Sequence, residues 1–120
     1  MSKTGSTNIV LRTLIRDLRK AANSRNAPIW DYVAEMLERP SRRRVVVNVS
    51  RLNRVAFDGE VLLVPGKVLG SGFIDKKVTV AALGFSLRAV EKIKGAGGSV
   101  MSVKELLNNN PRGSGVRVIA

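Results

Sequence analysis

The sequence predicts an α/β domain with short strands, many turns and a helical layer at its N-terminal end. Three observations predict it. Apolar residues recur at helical spacing between Asn8 and Leu37. From Val45 onward, short β-branched runs (Val45 to Val49, Val61 to Val64, Val78 to Ala82) are punctuated by glycine, proline and asparagine. The last run, the helical stretch Leu87 to Lys94 and Val100 then follow one another as strand, helix and strand, for which a parallel right-handed crossover is the default. The expected organisation is one domain over residues 1–120. A helical layer covers 9–39 and an α/β body covers 44–120, without the regularity of a doubly wound sheet.

Each element has a local reason. Asn8 is placed to cap a helix running to about Ala22. Leu11, Leu14, Ile15, Leu18 and Ala22 make its apolar face, and Arg12, Arg16, Arg19 and Lys20 make an adjacent basic stripe with Asp17 as its only acid. That stripe reads either as a solvated face or as a phosphate contact. Pro28 opens a second helix, with Trp30, Val33, Ala34 and Leu37 inward and Pro40 at its end. Trp30 is read as core, and Asp31, Glu35 and Glu38 as an acidic patch facing solvent or a protein. Ser41 and three arginines, Arg42, Arg43 and Arg44, precede a strand interrupted at Asn48. Ser50 is expected to cap a short turn or helix through Leu52 and Val55.

The second half continues in the same way. Asp58-Gly59 is a turn, Val61 to Val64 a buried strand, Pro65-Gly66 a break, and Lys67 to Leu69 a resumption. Gly70-Ser71-Gly72 forms a tight loop before Lys76-Lys77 and the next strand. Ser86 caps a helix with Leu87, Val90 and Ile93 inward, ended by Gly95. Ser102 and Glu105 have the spacing of a capping box for a last helix, stopped by Asn108 to Pro111. Val116 to Ile119 is the final strand.

Lysine and arginine number 21 against 9 aspartates and glutamates, a net charge of +12. Residues 1–54 hold 12 basic and 4 acidic side chains and residues 55–120 hold 9 and 5, so the folded body itself carries the charge. Such a surface suits a polyanion, and nucleic acid above all. The absence of cysteine and histidine removes thiol chemistry, disulfides, imidazole bases and His-ligated metals. No apolar run reaches the ~20 residues of a membrane helix, and no signal peptide is expected. Gly70 to Asp75 is not a dinucleotide fingerprint, Gly66-Lys67 is not a Walker loop, and Gly95 to Gly98 matches GXXG only by count. Asp58 and Glu60 lack the partners of a general acid/base pair. Neither a catalytic residue nor a cofactor, metal, membrane or small-molecule substrate is expected. The loop from Pro65 to Lys77 can bring backbone N–H groups close to phosphates. It reads equally as a turn with solvated lysines.

Three blocks together resemble a known family. Val47 to Arg54, Pro65 to Gly72 and Asp75 to Ala82, with Ala27 to Trp30 and Gly97-Gly98, are similar to large-subunit ribosomal protein eighteen-e in its short archaeal form. The resemblance covers nearly the whole chain. It implies a non-enzymatic structural component of the cytoplasmic ribosome that binds large-subunit ribosomal RNA and touches neighbouring ribosomal proteins. It also implies an irregular superhelix of β-β-α turns, shared with the C-terminal part of bacterial large-subunit protein fifteen. The expected RNA contacts form three patches. Arg42, Arg43, Arg44, Asn48, Arg51 and Arg54 make the first. Lys67, Gly70, Ser71, Gly72, Lys76 and Lys77 make the second, and Arg16, Arg19 and Lys20 a lesser third. Base stacking is expected to contribute little, since aromatics are 4% of the chain. Residues 1–8 are expected to be flexible or to order only on RNA. The competing function is a free, chromatin-type DNA-binding protein; an enzyme with a lysine or serine nucleophile finds no support in the residues.

Overall fold

The structure, a computed structural model, describes residues 9–40 and 44–120. The elements are α1 (Ile9–Ser24), α2 (Pro28–Leu37), β1 (Val45–Asn48), α3 (Val49–Val55), β2 (Val61–Leu69), β3 (Thr79–Phe85), α4 (Leu87–Gly95), β4 (Ser99–Ser102), α5 (Val103–Asn109) and β5 (Val116–Val118). The expectations for Asn8 as a helix cap, for residues 1–8, and for Arg42 and Arg43 lie outside the described residues.

In α1, Leu14, Leu18 and Ala22 are buried, with Leu11 and Ile15 half-buried beside them. The helix continues two residues past Ala22. In α2 the expected four residues and Met36 are buried, and Pro28 stands in the first turn. Trp30 is fully buried and donates its indole N–H to the Pro111 carbonyl at 2.7 Å. It therefore ties α2 to the segment before β5, as a core tryptophan with a polar edge must.

All strand pairings are parallel. β2 is the hub, taking β3 along most of its length, β5 beside Val61–Leu63 and β1 beside Gly66–Leu69; β4 extends the sheet beyond β3. Helices cover both faces. On one, α3 and α4 supply Val49, Leu52, Ala89 and Ile93 against Leu62, Val64, Val68 and Val80. On the other, α1, α2 and α5 supply Leu18, Trp30, Val33 and Leu106 against Leu63 and Ala81. Consecutive residues of β2 thus enter opposite cores, which explains an unbroken apolar run in a parallel strand. The departure from a doubly wound sheet lies between β2 and β3, where residues 70–78 cross over without a helix. β2, β3 and α4 make a β-β-α unit of the kind the resemblance implies.

Three local expectations are corrected. Pro65-Gly66 does not break β2. The register with β3 shifts between Val64 and Lys67, and this bulge accepts a proline that cannot donate to a ladder. Ser50 is not the cap of α3, which begins at Val49 after Asn48. Leu87 does not point inward and is 75% exposed. The buried seam of α4 is Ala89 and Ile93, and at ~100° per residue Leu87 lies ~200° around the helix from Ala89.

Candidate nucleic-acid interface

The uncovered crossover after β2 is laid against α3 and α4 by its glycines and by side chains from both helices. A Cβ on Gly70 would meet the Arg88 side chain and the Ala89 nitrogen at 2.7–2.8 Å. Gly72 has φ +93°, and a Cβ there would lie 2.3 Å from that of Ser50. Only glycine permits both approaches. Polar groups then fix the loop. Asn48 Oδ1 accepts the Ser71 N–H at 3.1 Å, and the Ser50 N–H reaches the Ser71 carbonyl at 3.3 Å. Asn53 Oδ1 accepts the N–H groups of Asp75 and Lys76 at 3.1 and 3.2 Å. Asp58 Oδ1 accepts that of Lys77 at 2.6 Å. From the other side, Lys92 Nζ donates to the carbonyls of Gly70 and Gly72 at 2.7 and 2.6 Å.

This geometry sorts the expected contacts. The amides of Ser71, Asp75, Lys76 and Lys77 are donated within the protein, so for these four the turn reading of the loop holds and they are not free for phosphates. Lys76 Nζ donates to the Ala56 carbonyl at 2.6 Å and holds the end of α3. Arg44 donates to the carbonyls of Leu37 and Arg39 at 3.4 and 3.1 Å, closing the C-terminal end of α2. Arg51 and Arg54 on α3, Lys67 on β2 and Lys77 have exposed side chains with no acidic partner among the described residues. Arg51 and Arg54 stand on α3 and Lys77 at the end of the crossover that α3 holds, whereas Lys67, between core residues on β2, alternates with Val68 and points to the other face of the sheet.

The third patch stands apart, because α1 packs on the opposite face of the sheet. Arg16 and Lys20 are exposed there. Arg19 is not a free cation. Its guanidinium meets Glu38 at 2.5 Å and Asp31 at 3.4 Å, joining α1 to α2. One member of the basic stripe is thus paired, and two of the three carboxylates of the acidic patch reach it while remaining about half exposed to solvent.

Comparison with known proteins decides the family. Residues 27–101 match the family described as "Ribosomal proteins 50S-L15, 50S-L18e, 60S-L27A". The chain is 53% identical to "Large ribosomal subunit protein eL18" of Pyrobaculum aerophilum over 116 residues, covering 97% of this chain and 95% of that one. It is 52% identical to the protein of the same name from Methanopyrus kandleri over 97% and 95%. The Methanococcus maripaludis protein of that name is 45% identical over the full length of both. The chain belongs to this family.

The family match takes in Asn48–Arg54 and Gly70–Lys77 together with Lys92. Sequence reasoning missed Lys92 and Arg88, because each acts through a loop that lies some twenty residues away in sequence. It also missed Arg117, which meets Glu60 at 2.8 Å and donates to the Val55 carbonyl, fastening β5 to the end of α3. Glu60 and Asp58, considered above as a carboxylate pair, are thus both structural acceptors. Among the described residues no cluster of three metal-ligating side chains occurs, and no helix is long and apolar enough to cross a membrane.

Proposed function

We propose that this chain is a structural constituent of the large ribosomal subunit that binds large-subunit ribosomal RNA. The observation that carries the reading is that Arg51, Arg54 and Lys77, which have no acidic partner among the described residues, flank a crossover whose backbone is already fixed, with Lys67 exposed on the other face of the sheet. A fixed cationic surface binds folded RNA through phosphates without an ordering cost at the loop. Gly70 and Gly72 hold the loop close against α4 and α3, with Ser71 exposed between them. Asn48, Arg44 and Lys76 act by holding the frame, and Arg42 and Arg43 adjoin it in sequence. Arg16 and Lys20 offer a second, separate contact; Arg19 contributes little charge there. The names of the relatives support the ribosomal setting, and with it the cytoplasm and neighbouring ribosomal proteins as partners.

A competition between protein-free large-subunit RNA and duplex DNA at matched salt tests the reading. RNA is expected to be preferred, and in a density gradient the chain is expected to stay with large subunits through a high-salt wash. Equal affinity for DNA, or release into the soluble pool, would favour the chromatin-type reading.

A further inference from the structure

Phe73 is left unused by a reading based on charge. It is 67% exposed, in the middle of a segment fixed on both sides. Before it, Lys92 holds the carbonyls of Gly70 and Gly72. After it, Ile74 is buried and Asn53 holds the amides of Asp75 and Lys76. A ring kept in water by a fixed backbone forgoes the stabilisation that burial gives an aromatic side chain. Phe57 is also exposed, but the Arg117 guanidinium lies 5.9 Å from its ring centroid. Phe73 has no such partner among the described residues.

Phe73 borders a cleft of about 510 Å³ that Asp75 and Lys92 also line. The Lys92 ammonium is committed to two carbonyls, and Asp75 adds negative charge, so the cleft is a poor phosphate site. A flat apolar ring beside a carboxylate acceptor suits a nucleobase instead. The base face stacks on the ring, and an exocyclic amino group can donate to the carboxylate.

We propose that Phe73 is a base-stacking residue that receives one unpaired nucleobase of the RNA whose phosphates the surrounding cations hold. The proposal rests on the RNA-binding reading above and departs, at this single residue, from the expectation that stacking contributes little. Phosphate contacts position the RNA, and the stacked base supplies a contact that salt does not screen.

The test compares wild-type, Phe73→Leu and Phe73→Trp chains binding protein-free large-subunit RNA across a salt series. Leucine keeps an apolar side chain and removes the π-face; tryptophan enlarges it. Because Phe73 is exposed, thermal unfolding of the three chains is expected to coincide. Leucine is expected to weaken binding about fivefold or more with an unchanged salt slope, and tryptophan to bind at least as tightly as phenylalanine. Leucine binding like wild type, or tryptophan as weakly as leucine, overturns the stacking role while leaving RNA binding in place. Failure of the wild-type chain to bind RNA brings down the underlying reading and the proposal with it. Short-wave ultraviolet irradiation of intact large subunits gives a second readout. A nucleotide adduct is expected on the peptide holding Phe73. An adduct at Phe57 alone, or a protein covering Phe73, overturns the proposal.

Discussion

Lys92 directs its charge inward. Its ammonium satisfies two carbonyls of a loop that has no secondary structure to pair them, and hydrogen bonds from a charged donor stabilise more than neutral ones. Lys92→Met is therefore expected to destabilise the protein by about 1–3 kcal/mol in urea unfolding, and to speed amide exchange at residues 70–72. Arg19 makes the complementary case. With Asp31 and Glu38 on its guanidinium it has little charge left for a phosphate. Arg19→Ala is expected to leave the salt dependence of RNA binding nearly unchanged, whereas Arg51→Ala lowers its slope by about one unit. Equal slopes for the two variants would show that the ion pairs open on binding.

β2 shows how an element can hold residues that locally oppose it. Pro65 and Gly66 are both poor strand residues, yet they occupy a bulge where β1 joins the sheet. A Cβ on Gly66 would lie 1.9 Å from the Val45 carbonyl oxygen, so the glycine lets the two backbones meet. Gly66→Ala is expected to cost at least about 2 kcal/mol by denaturant titration. Gly84→Ala, where a Cβ meets nothing within 4 Å, is expected to be neutral or stabilising by up to about 1 kcal/mol. In α5 the capping box forms as its spacing implies. The Ser102 hydroxyl accepts the Glu105 N–H at 3.0 Å, and Glu105 Oε1 accepts the Ser102 N–H at 2.8 Å. Ser102→Ala is expected to lower stability by about 1 kcal/mol, measurable as a shift in the urea midpoint at constant slope.

For the molecule as a whole, the charge of +12 acts through its placement. The sheet separates the cations of α1 from those of α3 and the crossover, so the two groups can meet different stretches of RNA or clasp one from two sides. Phosphate contacts release counterions additively, and the Arg51→Ala, Arg54→Ala double variant is expected to reduce the salt slope by about two units. Adding Arg16→Ala should then reduce it by about one more if both faces are engaged. A slope unmoved by that third change would restrict the interface to the face of α3 and the crossover.

Features that depend on neighbours close along the chain were legible in the order of residues alone. The periodicity of Leu14, Leu18 and Ala22, the proline at the start of α2, the caps at Ser86 and Ser102 and the α/β class all follow from residues within a turn or two of one another. The loop from Gly70 to Lys77 was visible as glycine flanked by lysine. Tertiary structure alone decided which cations are free. Lys76, Arg44 and Arg19 look no different from Lys77, Arg51 and Arg16 in the sequence, but their partners stand on other elements: the Ala56 carbonyl, the end of α2, and the carboxylates of Asp31 and Glu38. It also decided that β2 runs through Pro65-Gly66 and that Lys92 reaches back to the loop. Parallel strands bring together residues far apart in the chain, so register and partner choice are set by the packing of both sheet faces at once, and no local pattern encodes them.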